Sequence, residues 1–103
     1  EPRRREQLWR NARYLQSGLR ELGFDIMNTE TPIIPVLVGD ANTAVEFSRR
    51  LFNSGIFISA IRPPTVPHNT SRLRLTVMAT HTEEDLNFTL DQIRNIGKDL
   101  CLI

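Results

Sequence analysis

The chain has 103 residues, 40% apolar and 24% charged, the make-up of one globular domain with material for a single core. Its formal charge of +1 is too small to argue for nucleic acid on electrostatics alone, and the lone cysteine, Cys101, excludes an intrachain disulfide. No apolar run approaches the length of a membrane span and EPRRREQLW lacks a signal-peptide core, so a cytoplasmic protein with no membrane partner is expected.

The chain begins without methionine, directly in a helical pattern, so a piece of something longer is expected. From Pro2 to about Gly23 the residues Leu8, Ala12, Leu15, Leu19 and Leu22 recur at spacings of three and four, the stripe of an amphipathic helix. Pro2 fits its first turn and Gly23 its end. Arg3, Arg4, Arg5, Arg10, Arg13 and Arg20 lie mostly off the stripe, interleaved with Glu1, Glu6 and Glu21, as on a solvated face or one packed against another domain. Trp9 and Tyr14 flank it.

After a polar turn at Met27 to Thr31, the run from Pro32 to Val38 reads as a strand. Pro35 cannot donate to a ladder, which places this strand at an edge. Gly39 and Asp40 then make a break and an N-cap, and Ala44, Phe47, Ser48, Leu51 and Phe52 mark a second helix ending at Asn53, Ser54 and Gly55. Ile56 to Ile61 is β-branched and aromatic enough for a second strand. A proline-stiffened loop, Arg62 to Ser71, leads into a third strand over Arg72 to Val77. Thr82, Glu83, Glu84 and Asp85 form a capping box that opens a third helix, with Leu86, Leu90, Ile93, Ile96 and Leu100 inward.

The order helix, strand, helix, strand, strand, helix predicts an α+β fold in a single domain, residues 1–103, with a leading helix over 1–23 and a sheet-and-helix body over 32–103. A right-handed crossover makes the first two strands parallel, and the third fits between them, antiparallel to both, in the order 2-3-1. The arginine strand is then central. All three helices are expected on its leucine face, and the other face is left bearing Arg72, Arg74 and Thr76.

That strand carries the functional signal. No Asp or Glu occurs between Glu46 and Glu83, whereas Arg62, His68, Arg72, Arg74 and His81 all do. Arginines without acidic neighbours on a rigid frame form a candidate anion site. A surface of that kind makes sense as one wall of a cleft closed by another domain. Arg72 reads as shielding the sheet's edge or pairing with a carboxylate of another domain rather than as a substrate contact. His68 reads as a solvated loop tip, His81 as an imidazole satisfied by backbone, and Cys101 as part of a frayed end.

The segments TPIIPVLVGDANTAVEFSRRLFNSGIFISAIRPPTVP and SAIRPPTVPHNTSRLRLTVMATHTEEDL resemble the C-terminal domain of the α-oxoamine synthases, pyridoxal-phosphate enzymes of fold type I. Within that family the RPPTVP loop, the RLRLT strand and the helix start after it are most similar to the members that serve biotin synthesis. The resemblance implies a decarboxylating condensation of an amino acid, alanine here, with an acyl-CoA, a pimeloyl thioester here, by a homodimer. It also implies substrate-binding roles. Arg74 matches the arginine that grips the amino-acid carboxylate, Thr65 the loop threonine that contacts the acyl-CoA, commonly from the neighbouring subunit, and Arg62 an arginine at the active-site mouth.

Such enzymes attach the cofactor to a lysine of the large domain. Lys98, the only lysine here, does not match it, and no phosphate cradle is present, so this segment is expected to hold no catalytic, cofactor or metal residue and to be inactive alone. Two other readings stay open from the residues. One is a free-standing α+β module binding an anion for regulation. The other, an RNA-binding sheet, lacks the stacking aromatics such a surface needs, because those places hold Arg72, Arg74 and Thr76.

Overall fold

Leucines and an alanine recurring every three or four residues fold Pro2–Leu22 into the first helix, α1, of a computed structural model that describes residues 2–27, 31–56 and 58–103. Ala12, Leu15 and Leu19 are buried, with Leu8 and Leu22 partly so. Gly23, at φ +102°, closes the helix: its N–H donates to the Arg20 carbonyl and that of Phe24 to Leu19. The turn predicted from Met27 lies, at residues 28–30, outside the described residues.

Strand β1 (Ile33–Gly39) is an edge strand, as Pro35 requires. Asp40 then caps α2 (Ala41–Asn53) by accepting from the Thr43 amide and hydroxyl, both at 2.9 Å. Those bonds, the amide first, hold its carboxyl below the ordinary value. Ala44, Phe47 and Leu51 form the buried stripe of α2. Phe52, one of the residues that marked this helix, is 60% exposed, because the residue after Leu51 is turned a further 100° away from the sheet.

The second strand is shorter than its composition predicts. Instead of Ile56 to Ile61, β2 is Ser59–Ile61, with Phe57 outside the described residues. Helix α2 accounts for the difference: the Ile56 N–H is spent on the Leu51 carbonyl at 2.8 Å, and the Ile58 carbonyl accepts from the Ser48 hydroxyl at 2.9 Å. Pairing therefore starts at Ser59. Strand β3 (Ser71–Thr76) lies between the other two, antiparallel to both, in the order β1-β3-β2. The predicted topology is the observed one.

Leu73, Leu75 and Val77 face the core with Ile34 and Val36 of β1, whereas Arg74 and Thr76 are exposed on the other face. Helix α3 (Glu83–Asp99) starts at the predicted capping box, in which Thr82 and Asp85 exchange side chain-to-amide hydrogen bonds. Leu86, Ile93 and Ile96 join the core. Among the described residues, α2 lies on all three strands and α1 on β1, while α3 rests on α1 and α2 rather than on a strand. The helices thus share the leucine side, but in two tiers.

The C-terminal end is capped, not frayed as expected. Cys101, at φ +61°, donates its N–H to the Lys98 carbonyl and Leu102 donates to Gly97, the same closure that Gly23 makes in α1. A cysteine holds a position that suits glycine. Cys101→Gly is therefore expected to raise stability by about 0.5 to 1 kcal/mol, read as a higher urea midpoint with unchanged m-value.

Candidate functional site

In the ladder, Arg74 pairs with Pro35 of β1 on one side and Ser59 of β2 on the other, and Arg72 pairs with Leu37 and Ile61. Residues directly opposite in antiparallel strands point to the same face. The open face therefore presents Arg74 between Pro35 and Ser59, Arg72 between Leu37 and Ile61, and Thr76 beside Ile33. Its floor is mostly apolar. Among the described residues the Arg74 side chain has no hydrogen bond or ion pair, so its guanidinium keeps its full donor fork for a ligand.

Arg62 and Thr65 share one turn at the start of the loop, where the Thr65 N–H donates to the Arg62 carbonyl at 3.1 Å. Both side chains are exposed. No hydrogen bond joins this turn to Arg74 among the described residues; the sheet face and the loop are two separate parts of one surface. What ties them is the loop's far end: the Thr70 amide and hydroxyl both donate to the Pro67 carbonyl, and Arg72 Nε donates to the Thr70 carbonyl at 3.1 Å.

The histidines stand apart from this surface. His68 is exposed in the loop. His81 Nδ1 accepts from the Met78 N–H at 3.1 Å, which is the backbone satisfaction expected of it. Lys98 is exposed in the last turn of α3, on the helix side of the sheet, and cannot present its amine to the arginine face. Among the described residues no group of His, Cys, Asp or Glu is placed to hold a metal ion, and no helix is long and apolar enough to cross a membrane.

A cleft of about 470 Å³ opens on the helix side, between the segment before β2 and the first turns of α3, with Leu15, Ile56, Ile58 and Leu86 in its walls. Its two ionisable residues are already committed, His81 to the Met78 amide and Asp85 to the Thr82 amide. The arginine face, by contrast, holds a guanidinium with no partner among the described residues, and charge is what would recognise a ligand.

Sequence reasoning missed two contributors. Ser59 comes beside Arg74 only through the β2–β3 register. Asn11, 4% exposed, donates from Nδ2 to the carbonyls of Met78 (2.9 Å), Ala79 (3.5 Å) and His81 (3.0 Å), and its Oδ1 accepts from Gln7 at 2.8 Å. One amide thus fixes the turn that follows the arginine strand. A polar residue set among Leu8, Ala12 and Leu15 was the available signal.

The aminotransferase class I and II family pattern matches residues 1–93. This chain belongs to that family. The likeness carried by the RPPTVP loop and the RLRLT strand is thereby borne out. Among relatives within the aminotransferase class I and II family, the 8-amino-7-oxononanoate synthase of Lysinibacillus sphaericus is 50% identical over 103 residues, 100% of this chain and 26% of its own length. A serine palmitoyltransferase of Sphingomonas wittichii superposes with a TM-score of 0.89 at 32% identity, over 98% of this chain and 26% of that one. The serine palmitoyltransferase from S. paucimobilis with bound PLP-myriocin aldimine gives 0.86 at 33% identity over the same shares. The chain spans about a quarter of the length of the relatives it matches.

Proposed function

We propose that this chain is the C-terminal substrate-binding wall of a pyridoxal-phosphate-dependent acyltransferase of the α-oxoamine synthase type. The whole protein, a homodimer, would condense L-alanine with a pimeloyl thioester in biotin synthesis, releasing carbon dioxide and CoA. One observation carries the reading: an unpaired guanidinium, Arg74, at the centre of the sheet's open face in a chain 50% identical to an 8-amino-7-oxononanoate synthase.

Pyridoxal phosphate would supply the electron sink for the amino-acid carbanion. The residues present do not fit as its carrier, because the single lysine lies on the far side of the sheet, so that attachment belongs to the large domain. This chain's own part is positioning. Arg74 would hold the amino-acid carboxylate by two parallel N–H···O bonds, fixing the Cα for attack, and would release it when that carboxylate leaves as carbon dioxide. The apolar flank of Pro35, Ile33 and Leu37 would strengthen the contact by keeping water off it once a second wall closes. Thr65 would donate its hydroxyl to the acyl thioester, and Arg62 would hold the same substrate at the mouth.

The test is the purified whole protein supplied with pimeloyl-CoA and, in turn, alanine, glycine and serine. Alanine-dependent release of CoA and carbon dioxide in equal amounts is expected. Release that ignores the amino acid, or none with any of the three, would sink the proposal.

A further inference from the structure

Arg72 is the charged group on the open face that the amino-acid contact leaves unused. It stands one strand period from Arg74, about 7 Å along β3, and is half-buried between Leu37 and Ile61. Among the described residues its one hydrogen bond is from Nε to the Thr70 carbonyl, at 3.1 Å. Thr70 lies two residues back along the chain and Arg74 two residues on, so this bond draws the guanidinium toward the loop and away from Arg74. Pinning Nε also fixes the plane of the group and leaves its two outer NH2 groups to fork onto an oxyanion. A guanidinium set among apolar neighbours, with no carboxylate partner among the described residues, is placed to bind an anion rather than to solvate a surface.

We propose that Arg72 determines specificity for the acyl donor by binding an oxyanion that this substrate carries, separately from the carboxylate held by Arg74. This rests on the reading above, in which the loop tied to Arg72 through Thr70 meets the acyl thioester. The oxyanion is either a carboxylate at the far end of the acyl chain or a phosphate of the nucleotide. Both are recognised by the same fork.

The experiment measures binding of four thioesters to the purified whole protein, wild type and Arg72→Gln. They are a carboxyl-ended and a methyl-ended acyl chain of equal length, each on CoA and on pantetheine, which lacks the nucleotide phosphates. Arg72→Gln is expected to weaken binding by about ten- to a hundred-fold along one axis only. Loss of the carboxyl-over-methyl preference assigns the chain carboxylate, and loss confined to the CoA pair assigns the phosphate. In either case the KM for the amino acid stays unchanged and Arg72→Lys restores part of the preference. Equal weakening of all four, no weakening, or a raised KM for the amino acid overturns the inference. If the wild type condenses its substrates while Arg72→Gln behaves like it, the inference alone falls; if the wild type binds none of the four, the functional reading falls with it.

Discussion

In the whole protein, Arg74→Ala is expected to raise the KM for the amino acid by about thirty- to several-thousand-fold, equivalent to about 2 to 5 kcal/mol, with the KM for the acyl thioester changed only a few-fold. The size follows from where the guanidinium sits. It is exposed, but the strand that carries it is paired on both sides, to Pro35 and to Ser59, so its backbone position is set and a planar two-donor fork is available to a carboxylate. Under the proposed role, truncation would remove both N–H···O bonds and leave the bound carboxylate without its partner. Arg74→Lys should fall between, because an ammonium supplies the charge without the planar pair of donors. Steady-state kinetics with each substrate varied in turn checks this, and an unaltered amino-acid KM in Arg74→Ala would remove Arg74 from the site.

Replacing Asn11 should give a large loss of stability, about 2 to 4 kcal/mol in urea unfolding for Asn11→Ala. Its amide donates to carbonyls of three residues in the turn between β3 and α3, and that turn has no other donor bridging it to α1 among the described residues. Loss of the side chain strands those acceptors under the helix. Asn11→Asp separates the hydrogen bonds from the volume: it keeps the shape, lacks the donors and brings negative charge against carbonyl oxygens, so it should cost at least as much as alanine. An Asn11→Asp protein as stable as wild type at neutral pH would show that the clamp contributes nothing.

Much of the fold could be read from local pattern because local chemistry decides it. The alternation Arg72, Leu73, Arg74, Leu75 sets the two faces of β3, Pro35 sends β1 to the edge, and Thr82 with Asp85 starts α3. The failures come from hydrogen-bond partners and packing neighbours that composition does not announce. Ile56 to Ile58 has strand composition, yet α2 takes the Ile56 amide and the Ile58 carbonyl before β3 can. Helix α3 carries the apolar stripe of a helix on a sheet but spends it on α1 and α2. Cys101 closes α3 through nearby carbonyls, those of Lys98 and Gly97, but a cysteine gives no sign of the left-handed turn that a glycine would announce.

For the candidate site, charge statistics singled out the arginine strand, and alternation separated Arg74 from the core. The apolar floor around it and the hydroxyl of Ser59 come from register, which no single segment encodes. Arg72 was ambiguous for the same reason. Only the Thr70 carbonyl, on the same strand's lead-in, shows which way its guanidinium leans.

The outer rim of β1 governs how copies of this chain can meet. Of its outward amides, that of Ile33 is occupied by the Thr31 hydroxyl, Pro35 has no hydrogen to give, and that of Leu37 is taken by the Asp25 carbonyl. The opposite rim, β2, is three residues long. Both borders are therefore poor templates for another ribbon, one short of free donors and the other brief, which disfavours growth into fibrils by strand recruitment.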